Sequence, residues 1–231
     1  MNQKMKVLKI EKETHDTVTL TLKGDEKLDF KPGQFIMIEL ISEGKIPKRA
    51  YSLSSSPTRN DTLEITVKEM RDGWISKLLN EIKEGEELIV TGPYGHFVFD
   101  PETMKEIVLL GAGSGIAPFR GFSHFLIDKK LSTKVTFVYS NKTEEDIIFH
   151  KQLVEFEKAI PNMELMLCLS REKKEGFVEG RITEKLVKKI MAKHKDPNYF
   201  ICGPPKMVSG TKELLEKNGV VKEKIKVEIY G

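Results

Sequence analysis

The chain has 231 residues, of which 39% are apolar and 32% are charged, and its formal net charge is only +3. This composition is typical of a soluble globular protein, and so small a charge makes no case for nucleic acid binding. No apolar run approaches the roughly 20 residues that span a bilayer, which argues against membrane insertion. The N-terminal stretch MNQKMKVLKIEKE lacks the apolar core of a signal peptide. A cytoplasmic protein is therefore predicted.

Few residues in the sequence could hold a metal or a disulfide framework. The two cysteines, Cys168 and Cys202, are too few for a disulfide framework or for a four-cysteine zinc or iron–sulfur site within this chain. The five histidines stand singly, without a pair at metal-ligand spacing. No GxxxxGK[ST] motif occurs, so a P-loop nucleotide hydrolase is disfavoured.

Up to about residue 100 the apolar residues recur with a period of two, which indicates β-strands with one buried face. Only one helix is predicted here, after Gly73, because Trp74, Leu78 and Ile82 recur four residues apart on one face. Many short strands with one helix favour a small antiparallel β-barrel. The runs read as strands are 17–22 (TVTLTL), 34–40 (QFIMIEL), 63–68 (LEITVK) and 87–91 (ELIVT).

Beyond residue 100 short apolar runs alternate with helical stretches, which predicts a parallel sheet with helices on both faces. We place the domain boundary at Asp100-Pro101, giving domains 1–100 and 101–231. The predicted strands are 106–110 (EIVLL), 134–139 (KVTFVY), 164–169 (ELMLCL), 198–202 (NYFIC) and 224–230 (KIKVEIY). The predicted helices run from Pro118 and over 146–160, 183–193 and 205–219.

A glycine-rich turn opens the second half, where IVLLGAGSGIAPF reads as a buried strand, a loop and a helix. Glycines at such a turn let the backbone approach a pyrophosphate, and the helix N-terminus supplies unpaired N–H groups. The alternative is an ordinary turn between strand and helix. Ile116 breaks the GxGxxG spacing, and the next strand ends in YSNK without an acidic residue for an adenine ribose. A fold related to the usual dinucleotide fold, but distinct from it, is indicated.

Four motifs in this order resemble the ferredoxin–NADP reductase family, in which a FAD-binding barrel precedes a pyridine-nucleotide domain. The resemblance covers nearly the whole chain. The motifs are RAYSLSS at 49–55, GWISKLL at 73–79, GAGSGIAPF at 111–119 and CGPPKMV at 202–208. The stretch from Arg49 to Asn60, taken alone, is either a solvated loop or a platform for a ligand with phosphates and a flat ring.

By this resemblance the first two motifs hold FAD. Arg49 would bind the flavin pyrophosphate, for which a guanidinium offers two charge-assisted bonds. Tyr51 would stack on the isoalloxazine ring, and Ser52 would hydrogen-bond near its reactive nitrogen. The remaining implied flavin contacts are main-chain groups of Val67 and Lys68, with Gly73 and Ser76 close to the phosphates.

The last two motifs would bind the nicotinamide coenzyme. Cys202 would pack against the reactive carbon of nicotinamide, although a small buried core residue is the commonest fate of a lone cysteine. Tyr230 would cover the other flavin face or serve as a core aromatic, and Cys168 is interpreted as core only. The other implied contacts lie at Gly111, Gly113, Ser114, Gly115 and Gly203.

The choice between NADPH and NADH depends on the stretch SREKKEGFVEGRI after the third parallel strand. It resembles the pattern of bacterial NADPH-dependent members, with Ser170 and Arg171 at the end of the strand as cofactor contacts. Arg171 and Arg181 would clamp the 2′-phosphate. The alternative is a charged surface loop.

The resulting hypothesis is a FAD-dependent NAD(P)H oxidoreductase that passes hydride from NADPH (or NADH) to the flavin and then electrons to a separate acceptor. A small redox protein such as ferredoxin or flavodoxin is favoured as acceptor. An oxygenase component, a subunit role in a larger redox complex and free flavin are the alternatives. A flavin- or nucleotide-binding regulator without turnover is less favoured, because motifs of both domains are intact.

Overall fold

The computed structural model describes residues 2–39, 48–59 and 61–230. Leu40, the last residue of one predicted strand, and Asn60, the last residue of the polar stretch that begins at Arg49, lie outside the described residues. Within the described ranges no helix is long and apolar enough to cross a membrane.

The first half forms one antiparallel sheet of six strands, and all four predicted runs are confirmed as strands. Their spatial order is β4-β3-β6-β1-β2-β5 once the strands are numbered along the chain. Sequence reasoning missed the first and fourth strands. The strands are β1 (Asn2–Thr14), β2 (Thr17–Gly24), β3 (Phe35–Glu39), β4 (Lys48–Ser52), β5 (Leu63–Lys68) and β6 (Glu87–Tyr94).

The two outer strands of this sheet meet and close it into a barrel. Leu53, just after β4, forms an isolated antiparallel bridge with Ile65 of β5. The Ser54 backbone N–H donates to the Glu64 carbonyl at 2.8 Å beside this bridge. The alternating apolar residues point inward and are buried, as a period of two requires. The innermost residues are Val7, Leu20, Leu22, Ile36, Ile38, Ile65 and Val67.

Among its described residues the barrel carries one α-helix, α1 (Trp74–Glu81), but the predicted apolar face was wrong. The helix buries Ile75 and Leu79 against the barrel core, whereas Trp74 stays 45% exposed. Only the edge of the predicted face, at Ile82, touches the core. Apolar residues do recur four apart, but they form two series, one with Trp74, Leu78 and Ile82 and one with Ile75 and Leu79. Periodicity alone does not show which series is buried.

The second half forms a six-stranded parallel sheet in the order β10-β9-β8-β7-β11-β12. All five predicted runs are confirmed, and β10 is the strand that sequence reasoning missed. Because all six strands are parallel, their carboxyl ends lie at one edge of the sheet. The strands are β7 (Glu106–Ala112), β8 (Lys134–Asn141), β9 (Met163–Leu169), β10 (Val178–Glu179), β11 (Asn198–Gly203) and β12 (Ile225–Ile229).

Helices cover both faces of this sheet, as predicted. Ile107 and Leu109 of β7 pack under α2 and α3, whereas Val108 and Leu110 pack under α4 and α5. The helices are α2 (Ala117–Asp128), α3 (His150–Ala159), α4 (Glu184–Met191) and α5 (Pro205–Lys217).

Helix α3 begins later than the sequence predicted, because residues 146–149 are not α-helical. The preceding segment Glu144–Asp146 is a short 3-10 helix whose start is capped by Thr143. Phe149 then adopts a left-handed backbone conformation with φ of 61°. A left-handed residue interrupts an α-helix, so α3 starts at His150.

The segment between the two sheets contributes to the second core. Phe97 packs edge-on against Phe200 with ring centroids 5.2 Å apart, and Phe99 lies 5.7 Å from Phe122. Both residues precede the boundary that we place at Asp100-Pro101. That boundary remains a proposal, and the two domains are joined by a linker that is itself part of the nucleotide-domain core.

Candidate functional site

Strand β4 presents the first motif at the open side of the barrel. Arg49 and Tyr51 alternate along this strand, opposite Ile38 and Ile36 of β3. The Arg49 guanidinium is exposed, and the Tyr51 ring is half-buried against the barrel core. Burial raises the pKa of Tyr51 to about 12, and the nearby Arg49 charge opposes this rise. The strand thus offers an exposed cation and the face of a neutral phenol side by side.

The second motif forms a tight loop at the start of α1. The Ser76 hydroxyl donates to the Gly73 carbonyl at 2.8 Å and accepts the Met70 backbone N–H at 3.0 Å. A Cβ on Gly73 would lie 2.5 Å from the Ser76 hydroxyl oxygen, so glycine is needed for this close approach. Ser76 therefore braces the loop. Whether it also touches a phosphate, as the resemblance implies, remains a proposal.

The Lys68 side chain and the Val67 backbone carbonyl already have hydrogen-bond partners. Lys68 donates to both carboxylate oxygens of Asp16 at 2.6 Å. The Val67 carbonyl accepts the Asn80 amide at 3.3 Å. The resemblance assigns main-chain roles to Val67 and Lys68, and pairing of the lysine side chain leaves that proposal open.

The third motif forms a turn at the carboxyl end of β7. Gly111 lies within β7 and Gly113 has a left-handed φ of 54°, after which Ser114 and Gly115 continue in a short 3-10 helix into α2. A Cβ on Gly115 would lie 2.2 Å from the Cys202 carbonyl oxygen. The glycine loop at 111–115 therefore rests directly on the backbone of the fourth motif.

This contact makes a prediction for Gly115→Ala. We expect the added methyl group to push the loop off β11 and to destabilise the protein by about 1–3 kcal/mol, as overpacking does. Gly210 in α5 is a matched control, because a Cβ there meets nothing within 4 Å. Gly210→Ala should raise stability by about 0.5–1 kcal/mol through helix propensity. Urea unfolding of both variants checks this, and equal free energies of unfolding would contradict the contact.

The fourth motif follows β11. Cys202 is fully buried, and burial raises the pKa of its thiol well above the usual range, with the Glu228 carboxylate acting in the same direction. The thiol therefore stays protonated near neutral pH and is no nucleophile. Gly203 has φ of 149°, and its carbonyl accepts the Tyr230 backbone N–H at 2.9 Å. The Cys-Gly-Pro turn is thereby tied to the end of the chain's last strand.

Side chains of both domains meet at one point. The Ser52 hydroxyl of β4 donates to the carboxylate of Glu228 in β12. Burial raises the pKa of Glu228, and the Ser52 hydroxyl bond partly opposes this rise. The Tyr230 ring packs against the nucleotide-domain core, and its hydroxyl group lies near Cys202, Glu228 and Ser52. The structure thus brings together Ser52 and Cys202, from two separate motifs, with Tyr230, which lies outside the four motifs.

Sequence reasoning missed Glu228. A signal was present, because residues two apart on a strand share a face and Tyr230 was already a candidate. The intervening Ile229 is 58% exposed, in keeping with this alternation.

Two buried polar atoms at this edge form no well-aligned hydrogen bond within the described residues, although polar groups lie near both of them. They are the Tyr230 hydroxyl and the Asn141 amide nitrogen. Asn141 ends β8, and the Tyr139 hydroxyl two residues earlier donates to the Gly113 carbonyl at 2.8 Å. Buried polar groups normally have hydrogen-bond partners. Donors without a well-aligned bond beside a glycine loop, together with the exposed Arg49, fit a large ligand with phosphates and polar rings.

The residues predicted to select NADPH lie at the same sheet edge. Ser170 donates to the Asn141 carbonyl through its backbone N–H at 3.0 Å and its hydroxyl at 3.1 Å. The Arg171 backbone N–H donates to the Lys142 carbonyl at 2.8 Å. Arg171 and Arg181 are both exposed, and they follow β9 and β10, which pair in parallel. Lys142, at the end of β8, is a cation beside them that sequence reasoning missed.

A surface cavity of about 300 Å³ lies next to these residues. Neither Arg171 nor Arg181 lines it. Phe177 in its lining lies 6.0 Å from the His150 ring, and Lys174, also in the lining, pairs with Glu144. The cavity therefore combines an aromatic side chain with charged groups of both signs.

Comparison with known proteins matches both halves of the chain. Residues 4–99 match the oxidoreductase FAD-binding domain, and residues 109–213 match the oxidoreductase NAD-binding domain. A NADH-cytochrome b5 reductase 1 of Lodderomyces elongisporus is 30% identical over 203 residues, covering 86% of this chain and 68% of the relative. The chain belongs to the ferredoxin–NADP reductase family of FAD- and NAD-binding oxidoreductases.

Two further likenesses bear on fold and length. The reductase component of a propane 2-monooxygenase of Mycolicibacterium smegmatis is 32% identical over 225 residues, which cover 94% of this chain but only 64% of the relative. A Neisseria gonorrhoeae ferredoxin NADP+ reductase with bound FAD and NADP superimposes with a TM-score of 0.87 at 24% identity. That alignment covers 99% of this chain and 98% of that structure and shows the shared fold.

Proposed function

We propose that this chain is a FAD-dependent NAD(P)H reductase that delivers electrons to a separate protein acceptor. The meeting of Ser52 from the barrel with Glu228, Cys202 and Tyr230 from the nucleotide domain carries this proposal. It makes the domain junction the place where a flavin held by β4 and a nicotinamide held by β11 would approach each other. Both family matches support the two cofactors.

The protein's own groups position the reactants, and the bound cofactors supply hydride transfer and electron release. Arg49 and the loop at Gly73 would hold the flavin phosphates, and the glycine loop from Gly113 would hold those of the nucleotide. Cys202 contributes bulk and a neutral thiol, since burial keeps its proton in place. No acid–base pair is required of the protein.

An anaerobic absorbance titration of the FAD-loaded protein tests this proposal. NADPH and NADH are added in parallel, and the flavin's visible band is followed. We expect NADPH to bleach the band at far lower concentration than NADH. Bleaching by neither coenzyme would refute the reductase and support a regulator without turnover, or a subunit that needs its complex.

Replacing Cys202 by serine tests the positioning role of the thiol. Serine is smaller and prefers a hydrogen bond, so we expect the nicotinamide to be positioned less favourably over the flavin. Flavin reduction should slow about tenfold, which corresponds to about 1.4 kcal/mol of activation free energy. Stopped-flow absorbance at saturating NADPH measures this rate. Cys168→Ser is the control, since Cys168 is also buried but lies in the core between the sheet and α4. Reduction of the Cys202 variant at the wild-type rate would remove the positioning role.

The relatives bear on the electron acceptor. The relative named as the reductase component of propane 2-monooxygenase supports an oxygenase component, or a ferredoxin that serves one, as the partner. The sequence alone had favoured a small redox protein, with the oxygenase system as an alternative, and both stay within this proposal. A chain of net charge +3 would attract an acidic partner weakly. A cytoplasmic location stays a prediction of the sequence.

A further inference from the structure

Helix α2 links the two predicted cofactor loops physically. Its N-terminus continues from the glycine loop, and its second turn lies on the loop that follows β4. A Cβ on Gly121 would lie 2.8 Å from the Ser55 carbonyl oxygen and 3.2 Å from that of Leu53. This loop, residues 53–56, is called the flavin loop below. The helix and the flavin loop are in backbone contact, with no room for a side chain between them.

The residue before this contact, Arg120, is a buried cation that crosses the domain junction. Its side chain is 8% exposed. Nη1 donates to the Ser54 carbonyl at 3.1 Å and to the Glu64 carboxylate at 2.5 Å, and Nε donates to the Gln152 side-chain oxygen at 2.9 Å. One guanidinium thus connects the flavin loop, strand β5 and the first turn of α3.

The Arg120 guanidinium also lies over the ring of Phe149, with Cζ 4.7 Å from the ring centroid. Phe149 is the residue with φ of 61°, a backbone conformation that a bulky residue rarely adopts. Such strain persists where the surroundings over-determine it, and it clusters at functional sites. The guanidinium and the strained phenylalanine hold the β8–α3 connection against the flavin loop.

Stability alone gives a weak account of this arrangement. A buried ion pair often adds little to folding free energy compared with apolar residues of similar size, because both charges lose water. A planar guanidinium with several fixed hydrogen-bond partners instead fixes the relative position of the segments that carry those partners. A second link between the same elements, Arg59 to Asp128 at 2.7 and 2.9 Å, lies at the exposed end of α2 and provides a comparison.

We propose that Arg120 is a positioning residue that fixes the flavin loop relative to the nucleotide phosphate loop, and so sets the approach of the nicotinamide to the flavin. This inference rests on the proposed reductase function. Arg120 contacts Ser54, Glu64, Gln152 and Phe149, and none of these is predicted to bind a phosphate. The loss of Arg120 should therefore leave cofactor binding nearly intact.

The kinetic test compares Arg120→Met with Arg59→Met. We expect the limiting rate of flavin reduction by NADPH to fall roughly 10- to 100-fold in Arg120→Met, since small misplacements of reacting groups have effects of this size. The dissociation constants of FAD and NADP+ should change less than about threefold, which is under 1 kcal/mol. Arg120→Lys, which retains the charge beside Glu64, should recover part of the rate. Arg59→Met should reduce its flavin at the wild-type rate.

A structural readout keeps the test independent of turnover. Spin labels at Glu87→Cys in β6 and Lys189→Cys in α4 report the distance between domains, since Glu87 and Lys189 are exposed and both native cysteines are buried. Arg120→Met should broaden or shift the distance distribution measured by pulsed electron paramagnetic resonance, and Arg59→Met should not. An unchanged distribution in Arg120→Met overturns the inference even if the wild type proves not to be a reductase. If the wild type is a reductase, an equal rate loss in both variants overturns it as well.

Discussion

Replacing Arg49 by alanine is expected to weaken FAD binding at least about 100-fold. The guanidinium can give the pyrophosphate two charge-assisted bonds, and losing one such bond costs about 1.5–3 kcal/mol. Arg49 is exposed, so the same change should alter the free energy of unfolding of the apoprotein by less than about 0.5 kcal/mol. Quenching of FAD fluorescence on titration with apoprotein gives the dissociation constant.

Lys48 is a matched control for this variant. It is the neighbouring exposed cation on β4, and it pairs with Glu39. Lys48→Ala should bind FAD nearly as the wild type does, and Arg49→Lys should be intermediate, since a lysine cannot make a two-pronged contact. If Lys48→Ala and Arg49→Ala weaken FAD equally, the effect is one of general charge and the specific role of Arg49 is wrong.

Replacing Arg171 by alanine is expected to lower the preference for NADPH over NADH by roughly 10- to 150-fold, which corresponds to one lost charged hydrogen bond of about 1.5–3 kcal/mol. The loss should appear with NADPH alone, because NADH carries no 2′-phosphate. Flavin reduction measured over a range of each coenzyme gives the ratio of the two specificities. Arg181→Ala should act in the same direction.

Lys173 supplies the control for the NADPH prediction. It is an exposed cation of the same loop, and it pairs with Glu179. Lys173→Ala should leave the coenzyme preference within about twofold, since an exposed ion pair contributes little. An unchanged preference in Arg171→Ala would show that this loop is an ordinary charged surface.

The sequence predicted the fold well where apolar and polar residue types alternate. The run over 17–22 alternates strictly and forms most of β2, although Thr17 and Thr19 are buried as well. Strand β1 was missed because Leu8, in its middle, is 42% exposed, and the pairing with β2 shifts register between Val7 and Lys9. An irregular pairing of this kind breaks the alternation on which a strand prediction depends.

The site was predictable only as far as local motifs reach. Arg49, the glycine loop and Cys202 follow from short patterns in which each residue has a local reason to be present. Glu228 and Arg120 have no such pattern, because their partners lie 176 and 56 residues away in the chain. Contacts of that kind depend on how two domains are docked, and one sequence without a structure does not contain that information in a readable form.

The barrel closes where Leu53 forms a bridge with Ile65, immediately after the strand β4 that carries Arg49 and Tyr51. The place where the barrel closes and the proposed flavin site are therefore adjacent. A ligand that binds only the closed, folded barrel stabilises it by mass action. The gain is about 2.7 kcal/mol when the free ligand concentration is one hundred times the dissociation constant. Cofactor supply would then govern how long the folded chain survives as well as how fast it works.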